Sequence, residues 1–153
     1  MTDVVRSRTI ARPPEEVWDA LADFGAIATW AERVDHSSLL RPGAGGGAAD
    51  VGAERRVQVG RSALLERVVE SDRPGALAYD IEGLPPVVRR ARNAWSLTSA
   101  GDGTTAVTLT STVDCGPRPP QKLVARLVGR RMGKESDSML AGLARTLEGA
   151  SRD

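Results

Sequence analysis

The chain has 153 residues, enough for one domain with a sizeable core, expected to span residues 1–153. With 21 basic and 20 acidic residues the formal charge is +1, and aromatics are only 3%, so neither charge nor stacking groups argue for nucleic acid or an anionic membrane as partner. Cys115 is the only cysteine. It excludes an internal disulfide and makes no zinc motif, no run has the length of a transmembrane helix, and the N-terminus does not read as a signal peptide; a cytoplasmic protein is expected.

Residues 3–10 predict a first strand from their β-branched content. At 11–16 the period changes. Pro14 suits a first helical turn, and Glu15 and Glu16 suit its positive end. Val17, Trp18, Leu21 and Phe24 give this helix an apolar face, Gly25 ends it, and residues 26–31 predict a second short helix. A weaker strand is expected at 35–40, followed by a glycine-rich loop at 41–50. Short strands then follow at 54–59, 63–70, 76–81, 88–97 and 104–113, separated by tight turns. Residues 104–113 alternate most clearly, with Val107, Leu109 and Val113 on one face. This spacing predicts an antiparallel meander.

Residues 119–148 predict one long helix. Val124, Val128, Met132, Met139, Leu143 and Leu147 recur at steps of four or seven, with Leu123, Leu127 and Leu140 widening the stripe. Gly129, Gly133 and Gly142 lie inside it and weaken it by roughly 0.5–1 kcal/mol each relative to alanine. They fit either close approach to the sheet or room for a ligand beneath the helix. An amphipathic helix following an antiparallel sheet is expected to cross it and hide both apolar faces, which makes an α+β fold. Seven strands curving round one helix, with few aromatics to fill the space, leave room for a largely apolar hollow.

The ordered set of segments resembles the polyketide cyclase/dehydrase and lipid-transport superfamily, whose members include START-like domains. The likeness rests on the strand at 4–10 followed by Pro14, Glu15, Glu16, Val17 and Trp18, then Asp23, Phe24 and Gly25, then Ile27 to Trp30. It continues through 51–55, 65–68, 77–80, 95–97, 103–109 and the final helix. The resemblance implies a helix-grip fold: a seven-stranded curved antiparallel sheet wrapped around a long C-terminal helix, with two short helices after the first strand and a cavity between sheet and helix.

Candidate chemistry is sparse. His36, the only histidine, reads either as an exposed or capping residue or as an acid–base group at a cavity mouth. Glu66, Asp80, Glu82 and Asn93 read either as rim polar groups or as a cavity-lining set. The alternation 64, 66, 68, 70 against 65, 67, 69 does not say which face looks inward, and an inward carboxylate needs a partner such as Arg55 or Arg92. No catalytic residue is assigned; His36, Glu66 and Asp80 are the candidates. The ligand-binding set expected under the resemblance is Trp18, Trp30, Glu66, Tyr79, Leu84, Asn93, Trp95, Val128 and Met132. Core packing is the plainer role for the three tryptophans. Residues 84–87 are expected to form an apolar lip at the opening. The arginines at 89, 90 and 92, and the helical cluster of Lys122, Arg126, Arg130, Arg131 and Lys134, read first as solvated surface. No metal site and no cofactor is expected.

The leading functional expectation is a protein that binds a hydrophobic small molecule, a lipid, fatty acid or polyketide-like compound, without turning it over. The alternatives are a cyclase or dehydratase acting in the same cavity, and a regulatory or antitoxin-like module acting through its surface. A homodimer is compatible with either. In the binding reading Gly129, Gly133 and the 41–50 loop would allow opening, and leucine at position 133 would fill the cavity.

Overall fold

The computed structural model describes residues 1–149. The single-domain expectation also takes in residues 150–153, which lie outside the described residues. Strand β1 (Thr2–Ile10) leads to helix α1 (Pro14–Ala22) and a short 3-10 helix (Phe24–Thr29). Strands β2 (His36–Arg41), β3 (Glu54–Val59), β4 (Ser62–Asp72), β5 (Ala76–Glu82), β6 (Arg90–Gly101) and β7 (Thr104–Asp114) follow. Helix α2 (Pro119–Gly149) closes the chain. The strands form one seven-stranded sheet in the order β1-β7-β6-β5-β4-β3-β2, with every neighbouring pair antiparallel. β1 and β2 are thus opposite edges, and the two short helices carry the chain from one to the other. This is the curved helix-grip arrangement.

Pro14 starts α1 where its missing N–H costs nothing, and Glu15 and Glu16 occupy the first turn. Val17, Trp18 and Leu21 bury its inner face. The main core joins this face to Ile10, Phe24, Ile27, Trp30, Val68, Leu77, Tyr79, Trp95, Val107, Leu109, Leu140 and Leu143. A smaller cluster of Val113, Cys115 and Ala125 sits under the start of α2.

Three expectations are corrected. β6 begins at Arg90 rather than residue 88, because 83–89 form the loop that borders the cavity. A register shift between Val68 and Glu70 breaks the period of β4, so Glu66 and Val68 are buried while Glu70, paired with Ala78, is exposed. The buried face of α2 is also made largely of small residues. Ala125, Gly129, Gly133, Ser136, Gly142 and Ala144 are buried with Leu140 and Leu143, whereas Leu123 and Leu127 are 58% and 56% exposed.

The glycines explain that inversion. A Cβ on Gly129 would lie 3.1 Å from Val4 and 3.2 Å from Thr2; one on Gly133 would lie 3.0 Å from Val4 and 2.6 Å from Arg6. A Cβ on Gly142 would collide with the Trp30 carbonyl oxygen. The helix therefore rests on β1 and on the end of the 3-10 helix, and its glycines mark close approach rather than ligand space. The helix is further tied down by Arg6–Asp137 at 3.3 Å and Arg33–Glu135 at 2.9 Å.

Candidate functional site

Where α2 diverges from the far half of the sheet, a cavity of about 620 Å³ remains. Its sheet wall carries Val57, Val59, Leu64 and Ile81, and its helix wall carries Val128, Met132 and Met139. Ile27, Ala31 and Val34 close one end. The 83–89 loop contributes Leu84, Pro85, Val87 and Val88, with Val87 and Leu127 both exposed as well as lining the cavity. These two residues mark an apolar mouth, with exposed Arg131 and the Arg33–Glu135 pair beside it. The volume falls within the usual size of small-molecule sites.

Polar side chains enter this apolar space in one organised row. Tyr79 stands opposite Asn93 in the β5–β6 register, and Asn93 stands opposite Ser111 in the β6–β7 register. The Ser111 hydroxyl donates to Asn93 Oδ1 at 2.6 Å and lies 3.2 Å from the Ser136 hydroxyl of α2. Asn93 Nδ2 donates to the Tyr79 hydroxyl oxygen at 3.4 Å, and the Trp95 indole N–H donates to the same oxygen at 3.3 Å. Tyr79, Asn93, Ser111 and Ser136 are all buried and all border the cavity. Register partners on neighbouring strands share a face of the sheet, so Tyr79, Asn93 and Ser111 all turn toward the cavity in one line.

Beside this row, β3 and β4 place Arg55 opposite Glu66. Arg55 Nε donates to Glu66 Oε1 at 2.7 Å, and Nη1 donates to the Phe24 carbonyl at 2.9 Å. Nη2 also lies 2.7 Å from Glu66 Oε1 but is not aligned for a hydrogen bond, which leaves that nitrogen electrostatically paired and short of an acceptor. The guanidinium sits 3.8 Å from the Phe24 ring centre and 4.6 Å from that of Tyr79. Glu66 borders the cavity and Arg55 stands behind it. Burial is the main cause that raises the Tyr79 pKa above its ordinary value; the Glu66 charge adds to the rise, and Arg55 and the bonds from Trp95 and Asn93 offset part of it.

Of the residues singled out from the sequence, Glu66, Tyr79, Leu84, Asn93, Val128 and Met132 meet around the cavity. The three tryptophans do not border it. Trp18 is buried in the core under α1, and Trp30 packs edge-on against Trp95 at 5.9 Å, one layer behind. Trp95 reaches the cavity only through its hydrogen bond to Tyr79. His36 and Asp80 are also outside the cavity. His36 opens the edge strand β2 and is exposed, opposite Gln58. Asp80 alternates away from Tyr79 onto the outer face, where Arg92 donates to it at 2.7 Å. Glu82 is exposed on the outer face too, and the 41–50 loop does not border the cavity. Ser111 and Ser136 went unmarked in the sequence. Ser111 falls in step with Val107, Leu109 and Val113, so a hydroxyl at an inward register position was the available signal. Among the described residues no group of three His, Cys, Asp or Glu side chains could hold a metal ion, and no helix is long and apolar enough to cross a membrane.

The architecture recurs widely among solved structures. The crystal structure of TTHA0849 from Thermus thermophilus is similar with a TM-score of 0.76 at 22% identity, over 98% of this chain and 99% of that one. A solution structure from Thermobifida fusca gives 0.74 at 28% identity, over 96% and 93%. The Zhui aromatase/cyclase from Streptomyces sp. R1128 gives 0.77 at 18% identity, also over 96% and 93%. No curated protein matches the sequence. The family model described as polyketide cyclase / dehydrase and lipid transport matches residues 1–148. Fold, cavity and family model agree, and the chain belongs to the polyketide cyclase / dehydrase and lipid transport family.

Proposed function

We propose that this protein binds a hydrophobic small molecule, of a lipid or polyketide-like kind, between the sheet and α2. The observation that carries the reading is the cavity itself: about 620 Å³, walled mainly by aliphatic side chains and opening between Leu127 and the 83–89 loop. Removing apolar ligand surface from water supplies roughly 25 cal/mol per Å² buried, and the largely preformed walls limit the ordering cost. The polar row of Tyr79, Asn93, Ser111 and Ser136 fixes orientation rather than supplying most of the affinity.

Titration with the neutral fluorophore N-phenylnaphthylamine tests this reading. Saturable fluorescence enhancement is expected with the wild type, and a loss of at least about tenfold in affinity, or roughly 1.4 kcal/mol, with Val128→Trp, which places an indole in the cavity. Equal binding by a folded Val128→Trp variant would remove the cavity from the account.

A cyclase or dehydratase acting in the same space is the second reading. It is favoured by the buried Glu66 carboxylate at the cavity wall and by the likeness to an aromatase/cyclase. Its test is turnover of a polyketide-like substrate that is lost in Glu66→Gln.

A further inference from the structure

The hydrogen-bond inventory of the cavity floor constrains the polar end of the ligand; the inference rests on the binding reading above. The Tyr79 hydroxyl oxygen has two lone pairs and one proton. Trp95 Nε1, which can only donate, and Asn93 Nδ2 both point at that oxygen, at 3.3 and 3.4 Å. Asn93 Oδ1 is already engaged by the Ser111 hydroxyl at 2.6 Å. The Tyr79 O–H proton is left with no acceptor among the described residues, on a side chain that is buried and borders the cavity. Close by, Glu66 accepts from Arg55 only through Oε1, and Oε2 receives no hydrogen bond among the described residues. Glu66 and Tyr79 lie on adjacent strands, with Glu66 two residues along from Val68, the register partner of Tyr79. The floor therefore presents the Tyr79 proton as an unused donor and Glu66 Oε2 as an unused acceptor on the same face, with the second N–H of Asn93 Nδ2 as a further unused donor beside them among the described residues.

The charge inventory sets the sign. Arg55 and Glu66 cancel within the wall, and the two other charges of opposite sign that border the cavity, Arg33 and Glu135, pair with each other at its mouth. The remaining cation bordering the cavity, Arg131, is exposed at the mouth rather than at the floor. A carboxylate taken to the floor would meet the Glu66 carboxylate with its only nearby cation already paired, and an unpaired buried charge is strongly disfavoured. A hydroxyl has a lone pair for Tyr79 and a proton for Glu66, so it uses both groups without adding charge.

We infer that Tyr79 and Glu66 form a head-group subsite that selects an uncharged, hydroxyl-bearing ligand over the corresponding carboxylic acid. A free fatty acid is then a poor occupant, whereas an alcohol or phenol of similar size fits.

Displacement of N-phenylnaphthylamine at neutral pH by methylnaphthalene, naphthol and naphthoate isolates the head group on one ring system. Naphthol is expected to displace the probe about three- to tenfold more tightly than methylnaphthalene, the fold-change of one net hydrogen bond, and naphthoate more weakly than either. Tyr79→Phe is expected to erase the naphthol advantage while methylnaphthalene still binds, and Glu66→Gln to narrow the gap between naphthol and naphthoate. Naphthoate binding as tightly as naphthol would overturn the inference on the wild type alone, so the test does not depend on either variant folding. An unaltered naphthol advantage in folded Tyr79→Phe would overturn it as well. Equal displacement by all three would sink the subsite and leave the binding reading standing, whereas no probe binding at all would sink both.

Discussion

Arg55 and Glu66 face each other across β3 and β4 as a buried ion pair, 2% and 6% exposed, with Nε 2.7 Å from Oε1. The pair lies beside the cavity, and the guanidinium is held in place by the Phe24 carbonyl and by two aromatic rings. It positions the Glu66 carboxylate and cancels its charge at once.

Breaking that pair from one side is expected to cost about 3–5 kcal/mol, because the survivor keeps an uncompensated buried charge. Arg55→Ala and Glu66→Ala should each show this in urea denaturation, while Arg55→Met combined with Glu66→Leu should recover most of the loss. Single variants within about 1 kcal/mol of the wild type would mean that water or rearrangement reaches the site.

Alkaline stability should depend on Tyr79. Its pKa is raised in the folded state, chiefly by burial, from an ordinary value of 10.0. The folded form therefore keeps the phenol proton that the unfolded chain releases. The associated stability is complete below the unfolded value and is lost as pH rises from there through the folded pKa. Since Tyr79 is the only tyrosine, phenolate absorbance reports this residue alone. Phenolate is expected to appear together with unfolding, and Tyr79→Phe to flatten the alkaline decline in melting temperature. Phenolate formation in a fully folded protein near the ordinary value would contradict this.

The helical glycines should behave as packing positions. Gly142→Ala brings a methyl group against the Trp30 carbonyl, and the clash is expected to outweigh alanine's helix preference, giving a net loss of about 1–3 kcal/mol. Gly133→Leu should destabilise by displacing Val4 and Arg6 rather than by blocking ligand. Thermal melts of both variants, with probe affinity measured on whatever remains folded, check the two statements together. A stabilised Gly142→Ala would show that the helix does not approach this closely.

Strand order and the long helix were legible because alternation and helical spacing repeat over many residues, as in β7 and α2. The faces were harder. Nothing local tells whether Glu66 or Leu65 looks inward, since only the pairing of Glu66 with Arg55, eleven residues away, makes the carboxylate tolerable inside. The bulge after Val68 then reverses the face of Glu70 with no glycine or proline to announce it. On α2 the apolar residues suggested a contact stripe, yet close packing on β1 put glycine and alanine inside and left Leu123 and Leu127 outside. The tryptophans suit both a cavity wall and ordinary core packing, the plainer of the two roles, and all three are buried in the core without bordering the cavity. The polar row of Tyr79, Asn93, Ser111 and Ser136 joins four separate elements, so it exists only once register is fixed.

The central claim, that a hydrophobic small molecule occupies the cavity, is tested most directly by native mass spectrometry of the protein purified from its own host, followed by denaturing extraction. Wild-type protein is expected to carry a small organic species that is released only on unfolding and is missing from the cavity-filled Val128→Trp variant. The same species retained by folded Val128→Trp would place it elsewhere. An empty wild type that also fails to bind N-phenylnaphthylamine would contradict the account outright.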